Sequence, residues 1–166
     1  MKQARVAILM GSESDWPTFE QAVEVLREFG IAYEVRVLSA HRSPTQVRRY
    51  VMEAPRRGIR VFVVGAGGAA HLAGSVAAHT TLPVIGLPIE TKSLKGLDSL
   101  LSTVQMPKGV PVATVAIGNA TNAALLAVEV LAIRNGALQR KLASYKRRLS
   151  AQTLQADKAL HARVGG

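Results

Sequence analysis

Five short aliphatic runs, at residues 5–10, 33–38, 60–64, 83–87 and 111–117, alternate with stretches of helical periodicity. The run at 33–38 alternates, as a half-buried strand does, while the other runs, short, aliphatic and nearly continuous in their apolar character, read as strands of a sheet covered on both faces. Strands that alternate with helices form a parallel sheet through right-handed crossovers. The expected fold class is therefore α/β: a three-layer sandwich with a parallel five-stranded sheet and one extra helix at the C-terminal end. With 166 residues, 48% of them hydrophobic, one ordinary core can be built. No linker-like break, repeat or low-complexity segment divides the chain, so residues 1–166 read as a single domain.

The helices carry their own punctuation. One runs from about 17 to 29 and stops at Gly30; another runs from 44 to about 57, with Pro44 in its first turn. A small-residue helix reaches roughly Thr80, and a helical stretch at 98–104 lies inside the long segment 88–108. Gly118-Asn119-Ala120-Thr121-Asn122 opens an alanine-rich helix that Asn135-Gly136 is expected to cap at its C-terminus. The last helix spans about 138–160, with Leu138, Leu142, Tyr145, Leu149 and Leu154 as its apolar stripe.

Composition excludes several classes. There is no cysteine, hence neither a disulfide framework nor thiol chemistry. No apolar run approaches the ~18 residues that span a bilayer, and the first residues do not form a signal-peptide core. A cytoplasmic protein with no membrane partner is expected. The net charge of +10 invites a nucleic-acid reading, but the excess gathers near the C-terminus, where Asp157 is the one acid after Glu129. A solvated helix face explains that, and 4% aromatic residues leave few platforms for stacking bases, so no nucleic-acid partner is expected.

Chemistry concentrates where strands turn into helices, which is where open α/β sheets bind ligands. After the first strand come Gly11, Ser12, Glu13, Ser14 and Asp15. One such residue is explained as a helix cap, but three good caps in four positions are a surplus. The helix N-terminus and the two hydroxyls suit a phosphate, and Asp15 suits sugar hydroxyls. After the second strand come Ser39, Ala40, His41, Arg42 and Ser43. Arg42 offers a planar fork for phosphate or carboxylate. His41 is the residue of these loops best placed to be a general acid/base near neutrality.

The third loop, Gly65-Ala66-Gly67-Gly68-Ala69-Ala70, fits the G-x-G-x-x-[G/A] dinucleotide fingerprint, with Glu90 about 20 residues on. That fingerprint usually follows the first strand, not the third. The other use of such a loop is a wall of exposed backbone amides against a flat ligand, ending at His71 and Leu72. The four histidines show no metal-ligand spacing, and there is neither a P-loop nor a Gly-x-Ser-x-Gly elbow.

Four motifs taken together carry a resemblance: Gly11-Ser-Glu-Ser-Asp-Trp-Pro-Thr18, Ser39-Ala-His-Arg-Ser-Pro44, Gly65-Ala-Gly-Gly-Ala-Ala-His-Leu72 and Leu97-Asp-Ser-Leu-Leu-Ser-Thr-Val-Gln-Met-Pro107. In order and spacing, from about residue 5 to 133, the chain resembles the bacterial N5-carboxyaminoimidazole ribonucleotide mutases of purine biosynthesis. The resemblance implies a flavodoxin-like fold, a homo-octamer in which the helix at about 138–160 packs on a neighbouring subunit, and neither cofactor nor metal. It implies transfer of a carboxylate from the exocyclic nitrogen to C4 of an aminoimidazole ribonucleotide, by decarboxylation and recarboxylation, with His41 as the proton-transfer residue. The substrate-binding set it implies takes in Gly11, Ser12, Ser14 and Asp15 of the first loop and Ser39, Ala40 and Arg42 of the second. From the third come Gly67, Gly68, Ala69, Ala70, His71 and Leu72, with His71 holding the carboxylate or ordering the pocket.

Two places depart from the family pattern: Ala73 and Ser75 stand where Pro and Met are usual, and the Gly118–Asn122 turn is shorter than the common form. The alternatives are a direct aminoimidazole ribonucleotide carboxylase, a sister class that typically has lysine after the histidine, and a dinucleotide-dependent oxidoreductase. The His41-Arg42 pair and the Gly65–Ala70 run weigh against the sister class.

Overall fold

The computed structural model describes residues 3–165. Its strands are β1 (Val6–Met10), β2 (Tyr33–Val37), β3 (Val61–Ala66), β4 (Val84–Pro88) and β5 (Ala113–Thr114). Its α-helices are α1 (Trp16–Phe29), α2 (Pro44–Glu53), α3 (Leu72–Ala77), α4 (Leu97–Val104), α5 (Ala120–Ala132) and α6 (Gly136–Val164). All strand pairs are parallel, in the order β2-β1-β3-β4-β5. This is the flavodoxin-like order, in which the direction of strand succession across the sheet reverses between β1 and β3.

Side-chain alternation along the strands builds the three layers. Val6, Ile8 and Met10 of β1 pack with α1, α5 and the start of α6, whereas Ala7 and Leu9 face α2 and α3. Ala120, Ala123, Ala124 and Ala127 are fully buried, so α5 lies close against α1 and the sheet. Glycine is required at Gly65 of β3. A Cβ there would stand 2.7 Å from Phe19 Cζ and 2.9 Å from the Leu87 carbonyl oxygen.

The register fixes where the loops emerge. Met10 lies opposite both Val37 and Gly65, so β1, β2 and β3 end almost level. Their following loops therefore leave the sheet side by side at its carboxyl edge.

Several boundaries differ from the sequence reading. The strand expected at 111–117 pairs only at Ala113 and Thr114. It is an edge with one neighbour, and Pro111 has no N–H to give; single bonds from Val115 N to Gly86 O and from Gly118 N to Pro88 O follow it. The helix expected to reach 57 tightens into a 3₁₀ turn at Ala54–Arg57, where Pro55 removes a donor. The small-residue helix stops at Ala77 rather than near Thr80. Asn135 does not close α5: its side chain accepts from Ala137 N and Leu138 N at 3.1 and 3.2 Å, starting α6.

The expected stripe of α6 is split. Leu142 is buried and Leu138 and Tyr145 pack on the core, but Leu149 and Leu154 are 46% and 60% exposed because the helix outruns the body. Its first turns are tied down by Lys141 Nζ donating to Phe29 O at 3.0 Å and by the Arg148–Glu28 pair at 2.6 Å.

Gly65→Ala tests the packing of β3. Neither the Phe19 ring nor the β4 carbonyl has room to retreat, so urea denaturation is expected to show a loss of about 1–3 kcal/mol, the usual range for overpacking.

Candidate active site

The loop after β1 is an ordered turn. Ser12 caps the 3₁₀ turn Glu13–Asp15 by accepting from Ser14 N at 3.4 Å, and Ser14 Oγ donates to Ser12 Oγ at 2.9 Å. Asp15 precedes α1 but makes no side-chain cap bond to it. Burial pushes the Asp15 carboxyl above its ordinary value, with hydrogen bonding from Ser12 and Ser14 pulling it partly back.

The loop after β2 closes on itself. Ser39 N donates to Ser43 Oγ at 3.0 Å, and Ser43 Oγ donates to Ser39 O at 3.1 Å. This turn presents Ala40, His41 and Arg42 outward. Arg42 is anchored by Nε on Ser39 Oγ at 3.4 Å and by Nη2 on the Gly11 carbonyl at 2.8 Å, which joins the second loop to the first.

The loop after β3 turns at Gly68, whose φ of 68° favours glycine. The second and third loops meet through their histidines. His41 Nε2 lies 2.8 Å from His71 Nδ1, with the rings edge to face at 83° and 5.0 Å between centroids. One nitrogen of that pair must carry the proton and the other the lone pair.

These loops enclose a cleft of about 410 Å³ at the carboxyl edge of β1 and β3, within the range of small-ligand sites. Gly11, Ser12, Ser14 and Asp15 line one side and Ser39, Ala40, His41 and Arg42 the next. Gly67, Ala69, His71 and Leu72 complete the wall. Two residues singled out in the sequence do not reach it. Gly68 turns away to α4, where its N–H donates to Ser99 Oγ at 2.9 Å, and Ala70 is buried behind the wall at 2% exposure. Ala66 lines the cleft and was not expected there; a small residue ending β3 is the signal that marks it. Ser99 and Ser102 lie in the fourth motif without a role of their own in the sequence reading. Hydroxyls at 99, 102 and 103, on the inward side of an otherwise apolar helix, were the available signal.

The dinucleotide reading finds no support in this geometry. Gly68 does not open onto a helix N-terminus, α3 is only six residues long, and Glu90 is not on the cleft. The family model described as AIR carboxylase matches residues 5–152. The chain belongs to the AIR carboxylase family. Among its relatives, proteins named N5-carboxyaminoimidazole ribonucleotide mutase are similar over nearly their whole length. The Saccharolobus solfataricus protein is 59% identical over 141 residues, covering 85% of this chain and 89% of its own. That of Thermotoga maritima is 55% identical over 151 residues, covering 91% and 88%. That of Mycobacterium tuberculosis is 51% identical over 164 residues, covering 99% and 94%. The crystal structure of Treponema denticola PurE is similar with a TM-score of 0.85 at 30% identity, over 95% of this chain and 98% of that one.

Within the AIR carboxylase family pattern, the departures at Ala73 and Ser75 fall on α3. There Leu72 and Ala73 are buried, Ser75 O accepts from His79 Nδ1 at 2.7 Å, and Met106 covers Gly74. The helix begins directly behind His71 despite the missing proline.

Asp15→Asn reads out the burial of a charge in the cleft. Because the folded carboxyl is raised, the fold favours its neutral form, and that contribution is lost as pH rises through the folded pKa. Asp15→Asn is therefore expected to melt higher than wild type at pH 7, with the gap narrowing as pH falls toward the ordinary value of 3.8. A constant gap across that range in thermal melts would contradict the assignment.

Proposed function

We propose that this chain is an N5-carboxyaminoimidazole ribonucleotide mutase, converting that compound to 4-carboxy-5-aminoimidazole ribonucleotide. The observation that carries the reading is the convergence of three chemistries in one cleft: an anion cradle, an imidazole pair and a wall of small residues. Relatives of that printed name at 51–59% identity support it. The direct carboxylase alternative has only the family model's description on its side, against the mutase name carried by the relatives at 51–59% identity, and the oxidoreductase alternative has no observation of its own in its favour.

In this reading the 5′-phosphate takes the hydroxyls of Ser12 and Ser14 and the free Nη1 of Arg42, near the positive end of α1. Asp15 accepts from the ribose hydroxyls. The imidazole carboxylate lies against Gly67 and Ala69, with His71 beside it. His41, protonated, gives its proton to N5 as the N5–carboxyl bond breaks, the electron pair stays on nitrogen and CO₂ departs. C4 then attacks CO₂ with the ring's enamine electrons, and the C4 proton returns to His41. No net proton is consumed, so one histidine closes the cycle. His71 engages Nε2 of His41 and leaves Nδ1 as the unengaged nitrogen. CO₂ must be held through the exchange, which requires a cleft closed to water on the loop side.

The resemblance also suggests a homo-octamer acting in the cytoplasm. Two exposed apolar stripes support self-association: Leu94, Leu97, Leu101 and Val104 along and just before α4, and Leu149, Leu154, Leu160 and Val164 on the projecting part of α6. Among the described residues no helix is long and apolar enough to cross a membrane.

The purified protein is expected to interconvert the two carboxylated ribonucleotides without ATP, biotin or added metal. His41→Asn should lower kcat by about 10²- to 10⁴-fold, the usual worth of a general acid/base, with the ribonucleotide still bound. Near-normal turnover by that variant, followed by the absorbance of the 4-carboxy product, would remove His41 from the proton-transfer role.

A further inference from the structure

Helix α4 does not line the cleft, yet two of its hydroxyls hold Gly68, the residue between the wall residues Gly67 and Ala69, by both backbone groups. Gly68 N–H donates to Ser99 Oγ at 2.9 Å, and Ser102 Oγ donates to Gly68 O at 3.2 Å. Ser99 is fully buried, where a helix facing a sheet ordinarily carries an apolar side chain. The other hydroxyls of α4 return to their own helix: Ser102 Oγ to Asp98 O at 2.6 Å and Thr103 Oγ1 to Ser99 O at 2.7 Å. Ser99 alone among them spends its oxygen on the loop, and Ser102 divides its single proton between Asp98 O and Gly68 O.

Peptide planarity turns these two bonds into an orientation. In a trans peptide the C=O and the following N–H point in opposite directions. With Gly68 O drawn toward Ser102, the Ala69 N–H must point away from α4, to the side where Ala69 lines the cleft. With Gly68 N–H drawn toward Ser99, the Gly67 carbonyl is likewise sent to the cleft side. Gly68 has φ 68° and no side chain of its own to fix it; its carbonyl also accepts from Ala70 N at 2.8 Å, and the two serines add the hold from α4, with Ser99 the one partner of the Gly68 N–H among the described residues. The base of α4 is itself pinned, as Thr91 Oγ1 donates to the Asp98 carboxylate at 2.8 Å and accepts from Gly96 N at 3.3 Å.

We propose that Ser99 and Ser102 are positioning residues for the carboxylate transfer, clamping Gly68 so that the Ala69 amide faces the migrating carboxylate and the wall retains CO₂. The proposal rests on the mutase reading above. Loss of either hydroxyl acts on the step in which CO₂ is free within the cleft, not on the phosphate cradle at the opposite side.

The test starts from N5-carboxyaminoimidazole ribonucleotide with a ¹³C-labelled carboxylate, in buffer containing unlabelled bicarbonate. Label retained in the 4-carboxy product is read by mass spectrometry for wild type, Ser99→Ala, Ser102→Ala and Ser102→Thr. Wild type should retain its label. Both alanine variants should lose label to the medium, with kcat down by about 10²-fold, as expected when a reacting group is misplaced by an ångström, and KM within about threefold. Ser102→Thr keeps the hydroxyl and should behave as wild type.

Ser99 is buried and its variant is the one at risk of unfolding, so melting temperatures accompany the assay and half-buried Ser102 gives the second reading. Alanine variants that melt lower but keep wild-type retention and kcat would overturn the clamp, as would Ser102→Thr failing alongside Ser102→Ala. Failure of wild type to isomerise the substrate at all would instead overturn the mutase reading.

Discussion

Everything at the site depends on the parallel register of β1 with its two neighbours. Because Met10 stands opposite both Val37 and Gly65, three loops start at one height on adjacent strands about 4.8 Å apart. A slip by two residues in either pairing would move one loop by more than 6 Å, further than any hydrogen bond between the loops could follow. The register is held in turn by alternating burial. Slipping β1 by one residue would exchange the α1/α5 and α2/α3 faces and put Met10 where Leu9 now fits. The core is thus what aligns the chemistry, and of its buried side chains Leu72 also lines the cleft.

The loops add a second level of order through bonds that cross from one to the next. Arg42 reaches the Gly11 carbonyl, His41 reaches His71, and Gly68 is held from behind by α4. Each tie joins segments more than 25 residues apart in sequence, and the first two leave the second nitrogen of His41 and an end of the Arg42 fork to the cleft. Burying a carboxyl beside them has a stability cost, visible in the raised Asp15 carboxyl. Preorganised polar groups of this kind are what electrostatic stabilisation of a reacting anion requires.

Much of this was legible in the sequence, for physical reasons that differ by element. Strands β1, β3 and β4 are apolar runs and β2 alternates as Tyr33-Glu34-Val35-Arg36-Val37, and all four lie within a residue or two of their expected bounds. The loop residues were found because three N-cap types in four positions, and a His-Arg pair straight after a strand, exceed what folding alone asks of a turn. What the sequence hid depends on long-range partners. The weak pairing of β5 follows from its place at the sheet edge, and the bare outer half of α6 from where the body ends. Asn135 looks equally like an end and a beginning until its side chain is seen to accept from Ala137 and Leu138. Gly68 and Ala70 belong to the motif but face α4 and the core, and the difference lies in a φ value and in serines 31 and 34 residues away.

The most direct measurement is a structure of the protein with bound 4-carboxy-5-aminoimidazole ribonucleotide. The phosphate should lie within hydrogen-bond distance of Ser12 Oγ, Ser14 Oγ and the Arg42 guanidinium, with C4 beside His41 and the carboxylate on the Ala69 amide. A phosphate seated instead on the Gly67–Ala69 wall, or a base pointing away from His41, would contradict the assignment of this cleft.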